Sequence, residues 1–157
     1  MSKGTATTVG VISDTHGLMR PEALAALAGV DRIIHAGDVG SPDVLTALAA
    51  LAPVTAVRGN NDHSPWARHL PERTTVVLGE ARLHVLHDLN ELALDPAAAY
   101  AAVIAGHSHR PAITERDGVV FVNPGSAGPR RFKLPVAVAR LQIRGRVVRG
   151  EVILLGV

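Results

Sequence analysis

Side chains that can bind metal ions follow several apolar runs of this 157-residue chain. The first run extends from Val9 to Ser13 and is followed by Asp14, His16 and Gly17. Two side chains at i and i+2 of an extended segment point the same way, so Asp14 and His16 could bind one ion. The triplet alone is a weak signal, because an Asp that caps a following helix beside a surface His gives the same pattern.

The same combination returns four more times, each time where an apolar run ends. Together these positions offer two carboxylates, four imidazoles and one amide oxygen: Asp14, His16, Asp38, Asn60, His87, His107 and His109. Seven ligands are too many for one ion, whereas two first-row divalent metals that share a carboxylate would use them all. Such metal pairs, about 3.5–4 Å apart, stabilise both oxygens of an in-line displacement at phosphorus. The residues therefore predict a dinuclear metal site.

The hydrophobic pattern indicates an α/β fold that could bring these residues together. The first 60 residues alternate strand and helix, with helices over 20–29 and 41–51. Such alternation predicts parallel strands, and ligands of open α/β sheets bind at the carboxyl ends of the strands. The second half predicts a hairpin over 73–87, a short helix over 95–100, and strands over 102–105, 112–116, 119–122, 136–143 and 147–154.

Composition limits the classes of protein that the chain can form. Its length and 47% hydrophobic content suit a single domain over residues 1–157. A net charge of +2 and 3% aromatic residues argue against nucleic-acid binding, so nucleic acid is expected only as a source of substrate. The absence of cysteine excludes thiolate metal ligands. No apolar signal or membrane-spanning stretch is evident, so we expect a cytoplasmic protein without membrane contacts, which could form a homo-oligomer.

In their order, these motifs resemble those of the calcineurin-like metallophosphoesterases: Asp-x-His, Gly-Asp, Gly-Asn-x-Asp, His and Gly-His-x-His. The resemblance extends from Asp14 to Pro129. Within the family, the short prokaryotic phosphodiesterases look most similar, because they also lack inserted domains and carry an Asn-Pro-Gly-Ser turn like that at Asn123. The resemblance implies two packed mixed β-sheets flanked by helices, a metallophosphatase-like αββα sandwich. It also implies hydrolysis of small phosphodiesters.

The resemblance further implies a role for each ligand. Asp14, His16 and His109 would hold the first metal, and Asn60, His87 and His107 the second, with Asp38 bridging the two. A carboxylate can bridge because it has two oxygens with lone pairs, which a His lacks. A hydroxide between the two ions would then attack phosphorus, since the metals lower the pKa of bound water. Ligands without thiolate suit Mn²⁺, Fe, Co, Ni or Zn, and the resemblance favours Mn²⁺.

Two positions depart from the family pattern. Many relatives have a His after the first Asn of the third motif, where it serves as general acid, and this chain has Asn61 there. His63 could replace it from the same loop, although a loop His is more often solvated. Relatives usually have Gly after the ligand that we assign to His87, and here Asp88 follows. The choice of His87 over His84 therefore depends on its position at the end of the strand.

Four further residues carry two interpretations each. Arg130 and Arg131 could bind a substrate phosphate with their guanidinium groups, or belong to a solvated basic loop. His35 is expected to be a hydrogen-bonded core or supporting group rather than a ligand. Asp62 could orient a ligating His or cap its own loop.

Three other functions compete with phosphodiester hydrolysis. A phosphomonoesterase would use the same ligands. The fold also resembles the vacuolar sorting subunit of retromer, a non-catalytic scaffold that binds proteins, but a retired site should have lost ligands and all seven positions here are competent. A single-metal hydrolase with a barrel fold would need about 250 residues, so this chain is too short for one.

Overall fold

Within residues 6–157, which a computed structural model describes, ten β-strands form two five-stranded sheets. In chain order they are β1 (Thr7–Ile12), β2 (Arg32–His35), β3 (Val54–Ala56), β4 (Arg73–Leu78), β5 (Ala81–Leu86), β6 (Ala102–Ile104), β7 (Ala112–Arg116), β8 (Val119–Asn123), β9 (Ala137–Arg144) and β10 (Val147–Leu154). The first sheet has the order β10-β9-β1-β2-β3 and the second β4-β5-β6-β8-β7.

Both sheets contain parallel and antiparallel pairs. In the first sheet β1, β2 and β3 are parallel, and β9 and β10 add an antiparallel hairpin beside β1. In the second sheet β4 and β5 form the predicted hairpin, β5, β6 and β8 are parallel, and β7 pairs antiparallel with β8. The predicted pair of mixed sheets is therefore confirmed.

The main core lies between the two sheets. It is built from aliphatic side chains at alternate strand positions, such as Val9 and Val11 of β1 and Leu83 and Val85 of β5, all fully buried. Alternation of this kind places every second side chain of a strand on the same face. The two sheets are thus held together by this buried aliphatic layer.

The helical layer is unequal on the two sides. Helices α1 (Pro21–Ala26) and α2 (Pro42–Ala49) pack on the outer face of the first sheet, with Leu27 and Leu48 fully buried there. The described part of the second sheet has only a small outer cluster, against which Leu92 packs. The predicted short helix near Asp95 is a single 3₁₀ turn, Pro96–Ala98, because β6 begins soon afterwards.

Another 3₁₀ helix, Pro65–His69, lies within the segment predicted as a loop. Both α-helices are shorter than predicted, since α1 ends at Ala26 and α2 at Ala49. No helix within residues 6–157 has the length and apolar character needed to cross a membrane.

Candidate metal centre

The loops that follow β1 and β2 run side by side and carry three of the predicted ligands. Their backbones continue the parallel pairing of the strands, with Asp14 N donating to Gly37 O at 3.0 Å and His16 N to Asp38 O at 2.9 Å. Asp14, His16 and Asp38 therefore emerge at the carboxyl edge of the first sheet, as predicted.

The ligand loops adopt an uncommon backbone conformation. Seven non-glycine residues of the described chain have positive φ, and five of them are predicted ligands: Asp14, His16, Asp38, His107 and His109, with φ of 48–71°. The left-handed region costs an L-residue free energy, so residues held there cluster at functional sites. The assumption that Asp14 and His16 lie on an extended segment is wrong, because β1 ends at Ile12. Two left-handed residues, not strand geometry, bring these side chains together.

Asp14 is fully buried and presents one free oxygen to three imidazoles. Its Oδ2 accepts hydrogen bonds from Ser13 Oγ at 2.6 Å and His107 N at 3.1 Å. Its Oδ1 has no hydrogen-bond partner within residues 6–157 and lies 3.4 Å from the Nε2 of His109 and 3.8 Å from those of His16 and His87. Ser13 and His107 thus fix the carboxylate so that Oδ1 faces the imidazoles.

Asp38 has a comparable position on the neighbouring loop. Its Oδ1 accepts from Asn61 N at 2.9 Å, and its Oδ2 lies 3.3 Å from His87 Nε2 and 3.8 Å from His16 Nε2. Burial would raise the pKa of Asp38, but the neighbouring His87 imidazole, the hydrogen bond from the Asn61 amide and the charge of His16 outweigh it and hold the pKa well below its ordinary value. The carboxylate is therefore ionised near neutral pH and ready to bind a cation.

His87 is oriented by the backbone. Its Nδ1 donates to Ala36 O at 2.7 Å, which turns Nε2 toward Asp14 and Asp38. Burial alone would lower the pKa of His87, but the adjacent Asp38 carboxylate, the charge of Asp14 and the contact with Ala36 O raise it to about 8.

Two predicted ligands of the second metal lie on the open side of His87. The ring of His107 meets that of His87 edge to face, with centroids 5.2 Å apart, and its Nε2 lies 3.7 Å from Asp88 Oδ2. Asn60 is exposed and lines the same cavity as His87 and His107. The structure therefore brings all seven predicted ligands to one edge of the sheets.

The donor atoms fit metal ions. Asp14, His16 and His109 form one group of potential ligand atoms within 4.8 Å of one another, and Asp14, Asp38 and His87 form a second. Three of these atoms are buried and have no hydrogen-bond partner in the described part of the chain: Asp14 Oδ1, His16 Nε2 and His87 Nε2. Buried polar atoms are normally satisfied, so these converging ligand atoms form a candidate site for cations.

The bridging role of Asp38 stays a prediction. Asp14 belongs to both groups, whereas the resemblance assigned it to the first metal alone. Asp38 nevertheless lies between a ligand of each metal, His16 and His87. Both carboxylates are therefore positioned to contact two ions.

Of the other predicted site residues, only Asn61 makes a contact with a ligand within residues 6–157. Asn61 donates from Nδ2 to Asp38 Oδ2 at 3.1 Å. His63 is exposed, and no side-chain hydrogen bond of it is seen within residues 6–157. Arg130 and Arg131 are exposed on the loop after Gly128, whose carbonyl accepts from Arg20. The catalytic role of His63 and the substrate contacts of the two arginines stay predictions.

Close packing requires glycine beside the ligands. A Cβ at Gly59 would overlap the carboxylate of Asp38, and one at Gly106 would overlap Ser13 Oγ. The glycines of the Gly-Asn and Gly-His motifs therefore allow the ligand loops to approach each other.

Asp62 joins two of the ligand loops. Its carboxylate accepts from Gly59 N at 2.9 Å in its own loop, and from Val39 N at 3.1 Å and Gly40 N at 3.0 Å in the loop of Asp38. The loop-capping alternative is therefore correct. No contact within residues 6–157 supports the alternative that Asp62 orients a ligating His.

Sequence reasoning missed several supporting residues. Ser13 holds Asp14, and Ser126 Oγ donates to Asp14 O at 3.0 Å. Asn123 Nδ2 donates to Gly106 O at 3.1 Å and so supports the His107 loop. The sequence did contain a signal for these residues. Ser13 is a small polar residue directly before a ligand motif, and Asn123 and Ser126 begin and end the Asn-Pro-Gly-Ser turn.

His35 is a buried supporting group, as expected. Its Nδ1 accepts from Gly37 N at 3.1 Å, so its Nε2 carries the proton and donates to Thr15 Oγ1 at 3.0 Å. Thr15 Oγ1 in turn donates to Val39 O at 2.8 Å. The neutral ring thereby connects the two ligand loops, and burial lowers the pKa of His35 to about 4.

This pKa predicts acid sensitivity of the metal-free protein. Between pH 6.5 and about 4 the unfolded chain binds a proton on His35 that the folded protein does not, so acid favours unfolding. We expect His35 to contribute on the order of 3 kcal/mol of stability at pH 7 that is lost by pH 4. Urea titrations of the wild type and His35→Asn at several pH values, after metal removal, measure this difference. Parallel pH profiles of the two proteins would contradict it.

The chain belongs to the calcineurin-like phosphoesterase superfamily, whose family model matches residues 8–146. It is 37% identical over 163 aligned positions to a probable metallophosphoesterase of Methanothermobacter thermautotrophicus, an alignment that covers 94% of this chain and 92% of that protein. The predicted family is thus confirmed, and with it a phosphoesterase domain of the hydrolase class.

Two solved structures show the same fold. A protein described as a novel archaeal phosphodiesterase superposes with a TM-score of 0.76 at 25% identity, covering 93% of this chain and 99% of that one. Vps29 of Chaetomium thermophilum superposes with a TM-score of 0.75 at 19% identity, covering 94% and 96%. The second likeness concerns the fold alone.

Proposed function

We propose that this protein is a metal-dependent phosphodiesterase that hydrolyses small phosphodiesters. The observation that carries the proposal is that ligand atoms of Asp14, Asp38 and His87 lie within 4.8 Å of one another, and that Asp14 Oδ1 and His87 Nε2 are buried without a hydrogen-bond partner within residues 6–157. The archaeal relative described as a phosphodiesterase supports the choice of diesters.

Under this proposal Asp14, His16 and His109 hold one ion and Asn60, His87 and His107 the other, with Asp38 between them. When bound, two divalent ions supply an activated water and neutralise charge that develops on the phosphoryl oxygens. We assign Mn²⁺ as the metal on the strength of the family resemblance, and the cytoplasm as the compartment.

The protein's own residues fix and orient this centre. Ser13 and the amide of His107 hold Asp14, Ala36 O sets the tautomer of His87, and Asp62 ties the loops together. Such supporting contacts are typically worth about 10–100-fold in metal affinity or activity. In this arrangement the carboxylates of Asp14 and Asp38 are ionised, so they need not lose a proton before they bind cations.

Carboxylates also favour diesters over monoesters. A diester carries one negative charge near neutral pH, whereas a monoester carries close to two. The extra charge is repelled by the Asp88 and Glu91 carboxylates, which line the cavity beside the site. Phosphomonoesterase activity is therefore the second candidate and should be the weaker one. A pure scaffold does not explain the unpartnered ligand atoms.

The proposal predicts different outcomes for two neighbouring histidines. His87→Gln should lower kcat/KM for bis-p-nitrophenyl phosphate by about 100-fold and reduce metal content, because it removes a ligand. His84→Gln should stay within severalfold of wild type. His84 is 4% exposed and lies against Tyr100 with ring centroids 5.3 Å apart, away from both ligand groups.

The test uses protein stripped of metal and reloaded with Mn²⁺, Co²⁺, Ni²⁺ or Zn²⁺. Phosphomonoesters, aryl diesters and cyclic nucleotides are assayed beside metal content. Diester turnover that requires metal and is lost in His87→Gln supports the proposal. Lack of turnover with every metal would refute it, and the reverse ranking of the two variants would move the ligand to His84.

A further inference from the structure

A recess of about 210 Å³ opens from the second group of ligands. Three predicted metal ligands form its inner wall: Asn60, His87 and His107. The charged residues that line the rest are Arg58, Glu72, Asp88 and Glu91, and we call this space the acidic recess.

The charges of the acidic recess do not balance. Arg58 Nη2 pairs with Glu72 Oε1 at 3.3 Å, and Arg73 Nη1 donates to the main-chain O of Glu91 at 3.4 Å. Within residues 6–157 the side-chain carboxylates of Asp88 and Glu91 have no ion pair with a guanidinium or ammonium group. Asp88 Oδ1 accepts from Asn90 N at 3.0 Å, and its Oδ2 lies 3.7 Å from His107 Nε2. Two carboxylates therefore remain available to a group that enters the recess.

The acidic recess adjoins the predicted metal ligands. His87 lines it, and its buried Nε2 lies 3.3 Å from Asp38 Oδ2 and has no hydrogen-bond partner within residues 6–157. This unsatisfied atom shows, independently of the carboxylates, that a ligand belongs at the inner end of the recess. An organic group attached to a phosphorus bound there can extend outward toward Asp88 and Glu91.

We infer that the acidic recess receives the second ester group of the substrate and selects groups that are cationic or uncharged over groups that carry a further negative charge. The inference rests on the proposed phosphodiester hydrolysis and narrows its substrate class. Diesters with an alkylammonium or hydroxyl-bearing group fit this recess, whereas those with an additional carboxylate or phosphate do not.

The expected size of the preference for cationic ester groups depends on how exposed Asp88 and Glu91 are. Asp88 has 25% of its side chain exposed, and Glu91 is also exposed, so each contributes as a solvated ion pair rather than a buried one. Two such pairs together correspond to about a tenfold difference in kcat/KM between a cationic ester group and an anionic one of similar size. The preference should shrink as ionic strength rises.

The test compares three p-nitrophenyl phosphodiesters whose second ester group is choline, ethyl or 3-carboxypropyl. All three release the same phenol, so the chemical step is matched. We expect kcat/KM to fall in that order, with about tenfold between the first and the last. Glu91→Gln and Asp88→Asn should each reduce the ratio, and the double variant should bring it close to one. Glu151→Gln, at an exposed carboxylate on β10, should leave it unchanged.

Because Asp88 contacts His107, Asp88→Asn could also change total activity. The measured quantity is therefore the ratio of kcat/KM between the cationic and the anionic substrate. Calorimetric binding of the matching methylphosphonate monoesters to the metal-loaded protein measures the same preference without turnover. Hydrolysis of the diesters without a charge preference, or a preference that persists in the double variant, overturns the inference. Preferential binding without any hydrolysis would instead refute the proposed function and leave the selectivity of the recess standing.

Discussion

Replacing Asp38 by alanine should remove nearly all phosphodiesterase activity, with a loss of more than about 100-fold. Contacts that only support a ligand are already worth about 10–100-fold, and a carboxylate shared by two ions should exceed that range. Asp38 Oδ2 lies within 3.8 Å of both His16 and His87, so its removal affects ligands of both predicted metals. Steady-state kinetics and metal analysis of the reconstituted variant measure the effect.

Asp43→Ala is the matched control, because Asp43 is an exposed carboxylate in the first turn of α2 and lies outside both ligand groups. It should keep two metals per chain and wild-type turnover. Asp14→Ala should be as damaging as Asp38→Ala, since Asp14 belongs to both groups. If Asp38→Ala keeps two metals and full turnover, the dinuclear site as assigned is wrong.

Much of the fold could be predicted because hydrophobic periodicity reports it directly. The strand and helix alternation before Asn60 gives the parallel strands β1, β2 and β3, and the Gly79-Glu80 turn gives the β4–β5 hairpin. Periodicity does not determine how distant strands pair. The antiparallel addition of β9 to β1 depends on contacts between residues more than 100 positions apart, such as Val9 and Leu141.

The ligand set could be predicted from residue types, but its geometry could not. No pattern in the sequence shows that Asp14 and Asp38 adopt left-handed backbone conformations, because these are imposed by pairing between the two loops. Asp62 had two interpretations for the same reason. Its three amide partners come from two loops that are far apart in sequence, and only their packing selects one interpretation.

Asn61 should make turnover strongly dependent on the leaving group. An amide cannot serve as a general acid, and the structure holds the Asn61 side chain on Asp38, where its Nδ2 donates to Oδ2 at 3.1 Å. General acid catalysis is typically worth about 10²–10⁴ in rate, so an enzyme without it needs leaving groups that depart unaided as anions. We expect kcat/KM to fall steeply along a series of aryl and alkyl diesters as the pKa of the released alcohol rises.

Asn61→His should flatten this dependence, because it restores a proton donor beside the ligands. The gain should be largest for alkyl diesters and small for p-nitrophenyl esters, whose phenolate needs no proton. Asn61→Gln is the matched control, since it keeps the amide and should keep the steep slope. His63 is exposed, so His63→Ala should also leave the slope unchanged. A steeper slope in His63→Ala would identify His63 as the acid, and a shallow slope in the wild-type protein would show that another group supplies the proton.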